Sequence, residues 1–195
     1  MEPHRNSTNR EATSVPTVYT VGHGDRSVAE LIALLRTHSI TGIADIRAYP
    51  ASRRHPQFNR SALAAALDKV DVAYCWLGES LGGYRRGAAT SVHTALTEAS
   101  LRAYADHMQT DVFQAGITTL LAHAAQCTVA MLCAERRPEQ CHRALVADYL
   151  TAQAVPVVHV LTAGQQCPHR LSPLARHDGG QLIYDRGDVQ LNWEF

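Results

Sequence analysis

Thr17-Val-Tyr-Thr-Val21, Gly22-His23-Gly24-Asp25, Ser27-Val-Ala-Glu30 and Ile43-Ala-Asp45-Ile46 follow one another in quick succession, and their order decides the fold. The first segment is a strand by its β-branched content. The second is a tight turn rich in glycine. The third is a capping box, with Ser27 as N-cap and Glu30 reaching back to it. Val28, Leu31, Ile32 and Leu35 then share one apolar helix face, and the fourth segment is a second strand. A strand, a helix and a strand in sequence give a right-handed parallel crossover.

The pattern repeats along the chain. Residues 61–67 favour helix, and Val72-Ala-Tyr-Cys-Trp-Leu77 reads as a third strand. Residues 94–108 and 113–125 read as helices, 128–133 as the fourth strand and 156–161 as the fifth. The alternation predicts one three-layer α/β domain: a mostly parallel sheet of about five strands, with helices on both faces. Its expected span is 16–162, after a flexible N-terminal arm over 1–15. Residues 163–195 are expected to wrap the domain or to form a free tail.

Composition narrows the function classes. Lysines plus arginines equal aspartates plus glutamates, so no global field draws the chain to nucleic acid or membrane. The five cysteines are an odd number, and the polar first residues hold no secretory signal. Reduced thiols in a cytoplasm are expected. No apolar run is long enough to span a bilayer. There is no C-x-x-C or H-E-x-x-H spacing, and the G-x-G of Gly22 and Gly24 lacks the third glycine of a dinucleotide fingerprint. No cofactor and no metal are expected.

Polar residues gather at successive strand ends, where ligands bind in open α/β sheets. Gly22 and His23 follow the first strand. Asp45 and Arg47 end the second, on one side of it, where they either pair with each other or face a ligand. A loop without acidic residues follows, carrying Tyr49, Ser52, Arg53, Arg54, His55 and Phe58; such a mix suits a phosphate or a nucleobase. Leu77-Gly-Glu79-Ser-Leu-Gly82-Gly83-Tyr84-Arg85-Arg86 is a glycine-rich loop that could close over a site. The fourth strand leads into Cys133-Ala-Glu135-Arg-Arg-Pro138-Glu-Gln-Cys141-His142-Arg143. Alternation puts Val129, Met131 and Cys133 on one face of the strand. Pro138 suits a first helical turn. Helical phase from there places Cys141 with Leu145 and Tyr149 and turns His142 and Arg143 elsewhere. His159 reads as a core histidine.

Taken together, Val21-Gly22-His23, Asp45-Ile46-Arg47 with Pro50-Ala-Ser52-Arg53, Leu81-Gly82-Gly83, and Cys133-Ala-Glu135 with Cys141-His142-Arg143 resemble the family catalogued as domain of unknown function 488, over about residues 17–161. The resemblance implies an α/β fold of bacterial and archaeal cytoplasmic proteins without an established reaction, some with a loose DNA-repair label. A weaker similarity is to rhodanese-like domains, from which the Cys133 loop departs in length and arginine spacing. Gln190-Leu-Asn-Trp-Glu-Phe195 is similar to short sliding-clamp-binding peptides, with a residue inserted before Phe195. It implies a sliding clamp as partner; packing on its own domain is the alternative.

The leading expectation is an enzyme-like site for an anionic, phosphate-bearing substrate. Cys133, Glu135, His23 and Asp45 would do the chemistry. Gly22, Arg47, Ser52, Arg53, Gly82, Gly83, Cys141, His142 and Arg143 would bind substrate. Two alternatives remain: a non-catalytic nucleic-acid-binding protein of DNA maintenance, and a metal site drawn from Cys133, Cys141, His142, Glu135 and His23.

Overall fold

The computed structural model describes residues 15–88 and 90–186. The clamp-like segment 190–195 and nearly all of the N-terminal arm lie outside them. Six strands form the main sheet: β1 (Val18–Gly22), β2 (Gly42–Asp45), β3 (Ala73–Trp76), β4 (Val129–Cys133), β5 (Val157–Thr162) and β6 (Gln165–Pro168). Their spatial order is β3-β2-β4-β1-β5-β6. The first five run parallel, and β6 returns antiparallel to β5.

Two helices cover one face, α1 (Val28–Thr37) and α2 (Arg60–Asp68). Four cover the other: α3 (Gly78–Leu81), α4 (Ala99–His107), α5 (Asp111–Ala124) and α6 (Arg143–Ala152). The strand order explains this division. The chain moves outward from β1 to β2 to β3, then back to β4 and on to β5. Right-handed crossovers in opposite directions put their helices on opposite faces. The two faces bury separate cores. Leu31, Leu35, Leu63 and Leu67 pack on Val21, Ile43, Ala130 and Leu132. Tyr104, Phe113, Ile117, Leu145 and Leu150 pack on Val18, Ala44, Val129 and Met131. The side chains of β4 alternate as its sequence requires, and both faces are apolar because both are covered.

The capping box of α1 forms as read: the Glu30 amide donates to Ser27 Oγ at 3.2 Å, and the Ser27 amide donates to the Glu30 carboxylate at 2.7 Å. Elsewhere the structure departs from expectation. The helix expected from residue 94 begins only at Ala99, and the loop after β3 holds the short helix α3. The sheet has a sixth strand. β6 is mostly exposed and polar, so it carries no apolar signal. A second hairpin, β7 (Ala175–Asp178) with β8 (Gln181–Tyr184), lays Ala175, Leu182 and Tyr184 into the larger core.

Beneath the sheet's α6 face runs a buried polar chain. Thr20 Oγ1 meets His159 Nδ1 at 2.7 Å, His159 Nε2 meets His169 Nδ1 at 2.8 Å, and His169 Nε2 meets Asp148 at 2.9 Å. Tyr184 and the Ser172 amide also donate to Asp148. His159 is thus a fully partnered core histidine. Burial first, then His169 and Arg143, push its pKa down to about 3.

Candidate functional site

The topology creates a crevice. β1 and β4 are neighbours, but β1 connects outward to β2 while β4 connects the other way to β5. Loops that leave adjacent strands in opposite directions part at their carboxyl ends, which is where such sheets bind ligands. Gly22 and Cys133 are register partners at this point. Beyond them the two loops stay joined: the His23 amide donates to the Cys133 carbonyl at 3.0 Å and the Gly24 amide to the Ala134 carbonyl at 2.8 Å. Gly24 has φ +55°, a region open to glycine.

Because those two carbonyls face β1, the amides of Ala134 and Glu135, which point oppositely in the same peptide planes, face away from it. The next two carbonyls are held as well. Arg143 Nη2 donates to Glu135 at 3.0 Å and to Arg136 at 3.4 Å. Arg143 is almost wholly buried and braces the loop from below. Its expected substrate contact is thus only partly taken up: Nη2 is held by loop carbonyls, while the buried Nε has no partner.

Cys141 also differs from expectation. Pro138 opens a 3-10 turn, Pro138–Gln140, rather than α6. Cys141 then takes an extended conformation (φ −150°, ψ 162°), and His142 is the N-cap of α6. The extended residue breaks helical phase, so Cys141 and His142 do not diverge. One donor atom each of Cys133, Cys141 and His142 lies within 4.8 Å of the others. These are residues whose atoms are close enough together to meet a single metal ion, and all three belong to the set that the metal-site alternative named. All three are buried, with 5%, 7% and 9% of their surface exposed.

The two thiols are electrostatically unlike. A hydrogen bond from Cys141 holds Cys133 well below the ordinary thiol range; burial opposes this, and His142 and Arg143 reinforce it. Giving that bond, with burial added, pushes Cys141 well above the range. The pair therefore favours a thiolate at Cys133 over one at Cys141. His142 Nε2 lies 3.2 Å from the Ile46 carbonyl, and its ring packs 4.8 Å from that of Tyr104. Its other edge lies against Gly83, where a Cβ would collide with the ring.

His23 stands on the opposite side of the sheet edge. Its ring stacks on Phe58 with centroids 4.2 Å apart, and Nδ1 donates to the Gly24 carbonyl at 2.9 Å. Burial, the main cause, lowers its pKa, so the ring is neutral at neutral pH with Nε2 as its basic nitrogen. A thiolate at Cys133 bears on both His23 and Arg47. The crevice thus brings His23 within electrostatic reach of the thiol.

Asp45 and Arg47 take the other reading open to them: they pair. Arg47 Nε donates to Asp45 Oδ1 at 2.8 Å and Nη2 to Oδ2 at 2.6 Å, while Nη1 donates to the Phe58 carbonyl at 2.9 Å. Tyr74 donates to Oδ2 at 2.7 Å. Asp45 is wholly buried, and its oxygens are spoken for. The expected catalytic role of Asp45 and substrate-binding role of Arg47 therefore give way to a positioning one. The pair ties the end of β2 to edge strand β3 and to the turn that supports His23.

The remaining expected residues are placed as follows. The Ser52 amide donates to Asn59 and Ser52 Oγ accepts from the His55 amide, closing the arginine loop. Arg53 and Arg54 are exposed within it, and the His55 ring lies 6.1 Å from that of His23. Glu135 is exposed. Gly22, Gly82 and Gly83 are closely packed: a Cβ on each would strike Glu135, Gly78 and His142 respectively. One residue, Tyr104, had no weight in the sequence reading. Tyr104 is wholly buried and donates to the Leu81 carbonyl at 2.8 Å, supporting both His142 and the glycine loop. Tyr49 and Tyr84 are 75% and 77% exposed and meet edge to face, 5.8 Å between centroids. Exposed aromatics in arginine-bearing loops are the one local signal that marks this pair.

The sequence pattern of the family described as domain of unknown function DUF488 matches residues 27–150. This chain belongs to the DUF488 family. No curated protein and no solved structure matches it. The DUF488 match is narrower than the resemblance read from the sequence. It takes in Asp45, Arg47, the arginine loop, Gly82, Gly83 and the whole segment from Cys133 to Arg143. It leaves out Gly22 and His23. Within the DUF488 match, both thiols, His142 and the arginine beneath them belong to one strand-to-helix segment. No helix among the described residues is long and apolar enough to cross a membrane.

Proposed function

We propose that this DUF488 protein is a cysteine-dependent enzyme acting on an anionic, phosphate-bearing substrate, with Cys133 as nucleophile. The convergence of Cys133, Cys141 and His142 at a strand end carries the reading. A thiolate is the nucleophilic form of cysteine, and here a neighbouring thiol, an imidazole and a buried guanidinium favour it. The amides of Ala134 and Glu135, turned away from β1, offer donors to an oxyanion. The exposed Arg53 and Arg54 supply the charge that Arg47, paired with Asp45, cannot. His23 Nε2 accepts a proton from attacking water, and Glu135 is the second proton carrier.

Alkylation tests the proposal. Iodoacetamide is expected to modify Cys133 ahead of the other four thiols, and inorganic phosphate or a nucleoside monophosphate in excess is expected to slow it several-fold. Equal rates with and without these anions would remove the phosphate-bearing substrate.

The exposed Tyr49–Tyr84 pair favours a second reading, in which single-stranded nucleic acid stacks on the two rings beside Arg85 and Arg86. Retention on a single-stranded oligonucleotide should then fall with salt and with Tyr84→Ala. On this reading the segment 190–195 recruits the protein to a sliding clamp, and its deletion should abolish clamp binding. An oligonucleotide column that fails to hold the protein at low salt would end it.

A further inference from the structure

We propose that Cys133 and Cys141 form a reversible disulfide in which Cys133 is the thiol oxidised by a peroxide and Cys141 the thiol that resolves it. The inference rests on the cysteine site just described, but not on the class of its substrate.

Both thiols are free, and their sulfurs fall within the 4.8 Å cluster. A disulfide needs its sulfurs at about 2.05 Å, so they must close by a small movement. Both residues stand at the ends of elements, although the Cys133 carbonyl is held by the His23 amide. Cys133 is the last residue of β4, and Cys141 lies between the 3-10 turn and His142, the N-cap of α6. Neither is locked inside a ladder of helical hydrogen bonds. The seven residues between them form a loop and one 3-10 turn.

Access comes from a side away from the crevice. A cavity of about 260 Å³ between α4 and α6 is lined by Leu96, Leu101, Leu145, Leu174 and Tyr184, and Cys141 forms part of its wall. It brings a molecule of peroxide size to Cys141, whose sulfur lies within 4.8 Å of that of Cys133, without passing His23. The chemistry balances. The Cys133 thiolate attacks one peroxide oxygen; the O–O bond breaks, Cys133 becomes a sulfenic acid, and hydroxide leaves. The Cys141 sulfur then attacks the Cys133 sulfur, the S–O bond breaks, and the oxygen leaves as water with the Cys141 proton. A dithiol restores the pair by exchange. The other cysteines suit this role less: burial pushes Cys75, Cys127 and Cys167 above the ordinary thiol range.

The consequence is a site that shuts off and is spared. The disulfide removes the nucleophile and keeps Cys133 from reaching the irreversible sulfinic state. The test is mass spectrometry of the full chain after hydrogen peroxide, digested without reductant. The expected product is a peptide pair joined between Cys133 and Cys141, two hydrogens lighter and restored by dithiothreitol. Cys141→Ser should instead accumulate a Cys133 sulfenic acid that dimedone captures, and then sulfinic acid. Wild-type protein that carries sulfinic acid at Cys133 without the cross-link would overturn the proposal, as would a cross-link confined to other cysteines. If Cys141→Ser does not fold, the wild-type cross-link map decides alone. Phosphate protection is read on reduced protein, so the two proposals fail separately. A cross-link without protection sinks only the substrate class; protection without a cross-link sinks only the disulfide.

Discussion

The α-carbon of Gly22 rests against the carbonyl oxygen of Glu135, and a Cβ on Gly22 would overlap that oxygen and crowd Arg136. The glycine of one strand end thus sets the height of the loop that follows Cys133. Gly22→Ala must lift that loop and strain its bonds to His23, Gly24 and Arg143. The expected cost is about 1–3 kcal/mol, the usual range for overpacking, measured by urea denaturation. Cys133 alkylation should slow in the same variant, because the thiol loses its alignment with Cys141. A variant as stable and as reactive as the parent would show that the loop is not set by this contact.

The thiol pair predicts a two-sided pH profile. Cys133 sits below its unfolded pKa, so its stabilisation is present above the ordinary thiol value of about 8.5 and is lost as pH falls through its folded value. Cys141 sits above its unfolded pKa, so its stabilisation is present below that value and is lost as pH rises through its folded value. The pair's contribution should therefore peak near the ordinary thiol range and decline on both sides. Cys141→Ala should flatten the alkaline decline and move the alkylation midpoint of Cys133 upward. An unmoved midpoint would mean that Cys141 does not donate to Cys133.

His159 governs the acid side. Its pKa falls from 6.5 unfolded to about 3 folded, so the folded state resists protonation. Its stabilisation is present above pH 6.5 and is lost as pH falls from there toward 3, to a limit of roughly 5 kcal/mol. His23, His93 and His107 are shifted the same way and steepen the decline. His159→Gln keeps a polar partner for Thr20 and His169 but cannot take up the proton. Its melting temperature should vary less than the parent's between pH 6.5 and 4. Parallel curves would place the acid sensitivity elsewhere.

Arg47→Ala separates support from chemistry at Asp45. Removing the guanidinium leaves a buried carboxylate with Tyr74 and the residue 47 amide, a change that costs about 3–5 kcal/mol for a broken buried pair. Arg47→Lys should recover little of it, since an ammonium cannot hold both carboxylate oxygens and the Phe58 carbonyl in one plane. Calorimetry reads the outcome. Full stability in the lysine variant would mean that the fork geometry is not needed.

Much of this was open to a reading of the chain alone. Ser27 with Glu30 declares a helix start, and Val129 and Met131 against Ala130 and Leu132 declare a strand covered on both faces. Asp45 and Arg47, two residues apart on a strand, must share a side. The site was harder, because Pro138 fits an α-helix and a 3-10 turn equally well. Only the extended Cys141 decides between them, and no local signal announces it. Gln165-Gln-Cys-Pro168 is hidden for another reason. An edge strand with exposed faces has no apolar pattern, and its place depends on β5, which precedes it.

The order β3-β2-β4-β1-β5 bears on how the protein is made. β1 and β2 emerge first from the ribosome, yet they never touch: β4, encoded far downstream, fits between them. A nascent chain that ends short of Val129 holds two facing strand edges with an empty slot. The first half can cover its helices but cannot close its sheet. Such an edge pairs readily with any extended segment, so this interval is the chain's most hazardous for aggregation. The strand that fills the slot is the one that ends in Cys133. The insertion that joins the two edges and the arrival of the reactive thiol are therefore one event, and no chain that stops short of β4 carries that thiol.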